Sequence, residues 1–150
     1  MQSAVGMSRG DAAARKLYAW EDRVVAPLDR SCVPRANMQA LVDHVWQAEG
    51  LRWPPRVKPL PAQARRTVAR ATRTSIEAPA ELPSWVLLHE LAHAMTMDVE
   101  GRGVGHGAEF VGVYLALLVR HARLDQAMLM RSLVEAGVSF DPLATPSVGR

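Results

Sequence analysis

The first part of the chain carries apolar residues at helical spacing. These positions are Ala13, Leu17, Trp20 and Val24. A period of three to four residues predicts an amphipathic helix, which Asp11 can cap and Pro27 would end. The ten residues before it are small and polar, so we expect residues 1–10 to be disordered.

A second apolar stripe follows. Its members are Met38, Leu41, Val42, Val45 and Trp46. They predict a helix that Asn37 caps and Gly50 closes, because glycine readily adopts the backbone conformation that ends a helix.

The middle of the chain has a different pattern. Residues 53–61 contain four prolines and predict an extended connector, since proline disrupts a helix. Residues 65–77 are rich in Thr, Val and Arg and predict one strand. Its arginines favour an exposed edge strand protected from aggregation by charge, over a phosphate-binding patch.

The last part of the chain is strongly apolar and helical in pattern. Three helices are predicted: one from Trp85 to about Met97 with Ser84 as its cap, one from about Gly107 to Arg120, and one that Asp125 caps and Gly137 closes. The glycine-containing segment 100–107 joins the first two. We expect one domain over residues 11–143 and a frayed tail over residues 144–150.

Composition narrows the class of protein. A chain of 150 residues with a net charge of +3 is the size of one domain. Its charge is spread along the sequence, so nucleic-acid binding is a weakly supported alternative. The single cysteine, Cys32, excludes an internal disulfide. With neither an apolar run of membrane-spanning length nor a signal sequence, we expect no membrane partner and a cytoplasmic location.

The segment His89-Glu90-Leu91-Ala92-His93 carries the candidate chemistry. Histidines four residues apart on a helix project from one face, where two imidazoles can reach one zinc ion. Glu90 points slightly round the helix and can act as a general base on a water molecule. The apolar residues on both sides indicate a buried helix, in which two histidines need a partner such as a metal.

A catalytic zinc ion usually takes three protein ligands. Two candidates lie downstream, in the segment His106-Gly107-Ala108-Glu109-Phe110. They are three residues apart at the start of a helix, so either could approach the site. We favour His106, but spacing alone leaves Glu109 open as a rival.

HELAH followed after a short loop by HGAEF resembles the signature of the SprT-like and related small zinc metallopeptidases. The resemblance covers residues 85–118 and implies that His106 is the third ligand. It also implies a compact, mostly helical α+β domain of the zincin kind, with a short sheet packed over the motif helix. The four-cysteine ribbon of many SprT-like proteins is absent, which weakens a transfer of their DNA-linked roles.

A narrower resemblance covers most of the chain. The segments RKLYAWE, HELAHAM, GHGAEFVGVYLALL and EAGVSF are similar to a group of actinobacterial and phage proteins described only as metallohydrolases.

These patterns together predict a zinc-dependent hydrolase, with peptide or protein as the leading substrate and Glu90 as the base. Two alternatives remain: hydrolysis of another amide or ester, and a zinc-stabilised binding module without activity.

Overall fold

The computed structural model describes residues 9–61, 69–98 and 103–148. They form a mixed α+β domain, which confirms the predicted fold class. The α-helices are α1 (Arg9–Trp20), α2 (Ala26–Leu28), α3 (Arg35–Ala48), α4 (Ser84–Met95), α5 (Ala108–His121) and α6 (Gln126–Glu135). The strands are β1 (Cys32–Pro34), β2 (Arg56–Pro59), β3 (Arg70–Ala71), β4 (Ser75–Ala78) and β5 (Glu81–Pro83). A π-helical segment, Glu21–Val25, joins α1 to α2.

Some helix ends lie where the sequence predicts them, and others do not. Asp125 caps α6, where its carboxylate accepts a hydrogen bond of 2.8 Å from the backbone N–H of Met128. Gly50 and Gly137 have positive φ angles, 77° and 72°, as the predicted helix ends require. The caps predicted at Asn37 and Ser84 are wrong. Both helices begin earlier, directly after a proline whose extended backbone leads into the first turn.

The strands form two small sheets. β1 pairs with β5 in an antiparallel ladder, while the other sheet has the order β2-β4-β3, with β2 parallel and β3 antiparallel to β4. β3, β4 and β5 all contact α4. The sheets therefore support the helix that carries the histidine pair.

The prediction of one strand over residues 65–77 is wrong. Residues 62–68 lie outside the described chain, and the remainder is a hairpin of β3 and β4. The Thr72 hydroxyl accepts hydrogen bonds from the backbone N–H groups of Thr74 and Ser75, at 3.2 and 3.0 Å. This local bonding turns the chain back. β4 is consequently the central strand, and β3 is the edge.

Two arginines of this region are engaged in local contacts. Arg70 forms an ion pair of 2.8 Å with Glu77, and the guanidinium of Arg73 lies 5.1 Å from the centre of the Trp46 ring. The other two arginines, at positions 65 and 66, lie outside the described residues.

Residues 53–61 are not only a connector, because they contain β2. The strand lies at an edge of its sheet, where proline is tolerated. Its Val57 N–H donates to the Gln39 side chain at 2.7 Å. β1 and β5 were not predicted either; at three residues each, they are too short for a recognisable alternation.

The core lies between α1, α3, α4, α5 and α6. Its largest fully buried side chains include Trp20, Trp46, Phe110, Tyr114, Leu91 and Leu117. α4 and α5 pack directly against each other. Within the described residues, none of the helices has the length and apolar character needed to cross a membrane.

The segment after α6 crosses α4 and α5. A Cβ atom at Gly112 of α5 would lie 1.9 Å from the backbone oxygen of Asp141, so only glycine fits at this crossing. Further on, the Ser147 N–H donates to the Met95 carbonyl at 2.9 Å, and Val148 is buried. We expected residues 144–150 to be frayed. Residues 144–148 have no regular secondary structure, but they contact the core.

Candidate metal centre

α4 presents His89 and His93 on one face, one turn apart. Their ring centres are 5.0 Å apart. The helix is fixed in orientation because Leu87, Leu91 and Met95 are fully buried. His89 is buried and His93 is partly buried, so the pair lies at the boundary between the core and a surface opening.

His106 reaches the same point from the loop before α5. Gly105 has a φ of 62°, and Gly107 is the N-cap of α5. The ligand nitrogens of His89, His93 and His106 all lie within 4.8 Å of one another. The Nε2 atoms of His93 and His106 are 3.0 Å apart. Two nitrogens on a tetrahedral zinc ion are ~3.3 Å apart, so the arrangement fits this metal.

Glu109, the rival third ligand, lies elsewhere. It is exposed in the first turn of α5 and is not among the cluster's three residues. A carboxylate in the first turn of a helix complements the partial positive charge of that end. Of the two downstream candidates, the structure brings only His106 to the histidine pair.

Glu21 is a site residue that the sequence interpretation missed. It lies in the π-helical segment and is only 3% exposed. Its Oε2 accepts a hydrogen bond of 2.6 Å from His89 Nδ1 and another of 2.7 Å from the Tyr114 hydroxyl. A carboxylate on one imidazole nitrogen leaves the other nitrogen, Nε2, unprotonated and free to bind a metal.

A signal for Glu21 was present in the sequence. It follows Leu17 by four residues, so it falls on the apolar stripe of α1, where a carboxylate is costly unless it has a partner. A metal-binding histidine would have been the natural candidate for the partner of Glu21, because such a histidine usually donates its second ring N–H to a carboxylate.

Glu90 is 8% exposed. Burial raises its pKa to about 7; the nearby His89 opposes this shift, and the charge of Glu21 adds to it. A carboxyl group with a pKa near neutrality can both accept and release a proton at physiological pH. The candidate base therefore has the protonation behaviour that the role requires.

Two histidines of the cluster have lowered pKa values. Burial, together with the nearby His89 and His106, lowers the pKa of His93 to about 3. Burial also lowers the pKa of His106. A neutral imidazole is the form that binds metal ions, so the lowered pKa values of His93 and His106 favour binding of a cation.

Tyr18 of α1 is a second residue that the sequence interpretation missed. Its hydroxyl lies 3.4 Å from His106 Nε2, and its ring stacks on His89 with ring centres 6.2 Å apart. The side chain is 46% exposed. Burial of its hydroxyl and the charges of Glu21 and Glu90 raise its pKa. No histidine spacing would have identified it, because α1 contributes no ligand.

Cavities open on both sides of the cluster. One of about 240 Å³ is lined by Tyr18, Trp85, Val86, His89 and Glu90, together with Glu21 and Asp22. Another, of about 410 Å³, is lined by Lys16, His106 and Ser139, among others.

The other two described histidines, His44 and His121, are not part of the cluster. His121 contacts Glu49, with Nε2 and Oε2 3.0 Å apart, and its ring meets that of His44. Tyr114 lies beside the site, where it is fully buried and donates to Glu21. It therefore orients that carboxylate and is not accessible to a substrate.

Comparisons with protein-family models, with curated proteins and with solved structures found no match for this chain.

Proposed function

We propose that this protein is a zinc-dependent metallohydrolase and that peptide bonds are its main substrates. One observation carries the proposal: three histidine nitrogens, two from α4 and one from the loop before α5, meet within 4.8 Å, beside a buried glutamate that lines an adjoining cavity. A purely structural site would need no general base at that position.

His89, His93 and His106 would hold the ion. Bound zinc would act as a Lewis acid that polarises the scissile carbonyl and makes water easier to deprotonate. Glu21 would keep His89 in the tautomer that offers Nε2 to the metal. Because His93 and His106 come from different segments, closure of the donor set depends on the packing of α4 against α5.

Glu90 would transfer the protons. It takes one proton from the attacking water as the oxygen bonds to the carbonyl carbon, and delivers it to the nitrogen when the C–N bond breaks. A pKa of about 7 suits both steps. The products are an amine and a carboxylic acid, which releases its proton to the solvent at neutral pH.

The cavities on either side of the cluster support a peptide over a small amide or ester, because a peptide extends in both directions from the bond that is cut. Hydrolysis of another amide or ester is the second candidate, since the same donors would serve it. We also propose a cytoplasmic location, supported by the exposed, unpaired thiol of Cys32.

The test compares Glu90→Gln with Glu109→Gln, a matched change of an exposed carboxylate on the neighbouring helix. Zinc content is measured by elemental analysis, and cleavage is measured with fluorescent casein and a fluorogenic peptide library. We expect one zinc per chain in both variants and loss of cleavage only in Glu90→Gln.

Two results would contradict the proposal. Loss of zinc from Glu90→Gln would remove the base assignment. Failure of the zinc-loaded wild-type protein to cleave casein, the peptides or a panel of simple amides and esters would favour the non-catalytic binding module.

The third ligand has its own test. His106→Ala should weaken zinc binding sharply in a competition titration with a chelating dye, and Glu109→Ala should not. The reverse result would return the ligand role to Glu109.

A further inference from the structure

Tyr18 combines two properties that a core tyrosine does not have. Its ring packs against two histidines of the cluster, His89 and His106, yet almost half of the side chain is exposed. Tyr114, by comparison, is fully buried with its hydroxyl committed to Glu21. The Tyr18 hydroxyl thus lies on the open side of the cluster, where a substrate would arrive.

The distance to His106 limits where this hydroxyl lies relative to the donor set. A ligand nitrogen is ~2.0–2.1 Å from a zinc ion. Since the Tyr18 oxygen is 3.4 Å from His106 Nε2, it lies within about 5.5 Å of the point that the histidines would coordinate. A substrate oxygen bound beside that point, on the side of Tyr18, would be within hydrogen-bonding reach of the phenol after a small side-chain rotation.

The other polar groups of the adjoining cavity are mostly acceptors. Among its described lining residues, Glu21, Asp22 and Glu90 are carboxylates, and His89 is engaged through Nδ1. The remaining side-chain donors are the Tyr18 hydroxyl and the Trp85 indole N–H. Phenols ordinarily titrate near pH ~10, so the Tyr18 O–H is present at neutral pH.

We propose that Tyr18 is a further catalytic residue, whose O–H donates a hydrogen bond to the oxygen of the scissile carbonyl. As water adds to the carbonyl carbon, the π-electron pair moves onto that oxygen, and the hydrogen bond strengthens with the growing negative charge. Tyr18 keeps its proton throughout. This inference rests on the proposed hydrolase function and adds the group that stabilises the transition state.

The main variant is Tyr18→Phe, which keeps the ring contacts and removes only the hydroxyl. We expect its zinc affinity to stay within about threefold of wild type, since the hydroxyl is not assigned as a ligand. On a fluorogenic peptide that the wild type cleaves, kcat should fall by ~100- to 1000-fold, as after loss of a single oxyanion donor. KM should change by less than about threefold, because the bond forms mainly in the transition state.

Inhibitor binding gives a readout that needs no turnover. A phosphinic dipeptide has a tetrahedral centre with a charged oxygen in the place of the carbonyl oxygen, whereas a mercaptoacyl dipeptide binds through sulfur and has none. Tyr18→Phe should weaken the phosphinic compound by at least tenfold and leave the mercaptan within about threefold. Trp85→Phe, which removes the other donor, should weaken the two compounds to the same extent.

The outcomes separate this inference from the function on which it rests. If the wild type cleaves no substrate and the two inhibitors nevertheless respond as expected, the hydrolase proposal fails and the Tyr18 hydrogen bond remains. Equal effects on both inhibitors, or failure of the phosphinic compound to bind the zinc-loaded wild type, would overturn the Tyr18 role. So would a loss of zinc affinity above tenfold in Tyr18→Phe, since it would make Tyr18 a metal ligand.

Discussion

Replacing Glu21 with glutamine tests how the metal centre is held together. The carboxylate is buried between His89 and Tyr114 and accepts a hydrogen bond from each. Glutamine has the same shape but offers one acceptor oxygen and an NH₂ donor. If the NH₂ group faces His89, the imidazole must carry its proton on Nε2, the nitrogen that should bind the metal.

The expected effect is larger on zinc binding than on folding. Loss of an acidic partner behind a metal-binding histidine weakens metal affinity by ~10- to 100-fold, or ~1.4–2.7 kcal/mol. The free energy of unfolding of the metal-free protein should change less. Two charged hydrogen bonds are weakened, but the cost of burying a carboxylate disappears at the same time.

The assay is a zinc competition titration with a chelating dye, accompanied by urea unfolding of the metal-free protein. Tyr114→Phe is the matched control. It removes the second donor to Glu21 while the carboxylate still contacts His89. We expect its zinc affinity to stay within about threefold of wild type, with a loss of about 1–2 kcal/mol in stability. An unchanged zinc affinity in Glu21→Gln would refute the orienting role of the carboxylate.

Three further predictions concern stability. Gly112→Ala should cost about 3 kcal/mol in urea unfolding, because its Cβ would overlap the Asp141 backbone oxygen; a neutral result would contradict the crossing at this position. Glu49→Gln should cost about 1 kcal/mol at pH 7. Burial raises the pKa of Glu49, but hydrogen bonds from Arg120 and His121 outweigh burial, so the pKa lies below its ordinary value. Because that folded-state pKa is depressed, the contribution is present above pH ~4.5 and disappears as the pH falls through the folded value; a difference between wild type and variant that persists at pH 2.5 would argue against it. Chelation of zinc should lower the free energy of unfolding by ~4 kcal/mol when free zinc is at about a thousand times its Kd, and calorimetry showing no shift would exclude a tightly bound metal.

The sequence predicts best where one periodic signal dominates. α5 and α6 begin at or within one residue of the expected positions, because glycine and aspartate termini frame long apolar stripes. Helical spacing predicted the pairing of His89 with His93, whereas the choice of His106 over Glu109 depended also on the resemblance to small zinc metallopeptidases.

Features that depend on long-range packing were not predictable in the same way. Glu21 contacts His89, 68 positions away in the chain, and Tyr18 contacts His106, 88 positions away. The turn between β3 and β4 is closed by local hydrogen bonds of Thr72, from its backbone N–H to Ser75 and from the N–H groups of Thr74 and Ser75 to its hydroxyl. These bonds interrupt a run of residues that otherwise has uninterrupted strand propensity.

The π-helical segment has a consequence for how the chain can change in length. Its hydrogen bonds span five residues where an α-helix spans four, so the segment contains one residue more than a regular helix would need to cover the same turn. Leu17 and Trp20 before it and Val25 at its end are all fully buried. Deletion of one residue from 22–24 would allow a continuous α-helix in which Val25 stands seven residues after Leu17 and four after Trp20, on the same buried face. The π-helical segment thus accommodates one extra residue without changing the register of the buried positions on either side. This segment should therefore tolerate a one-residue deletion better than a regular helix would.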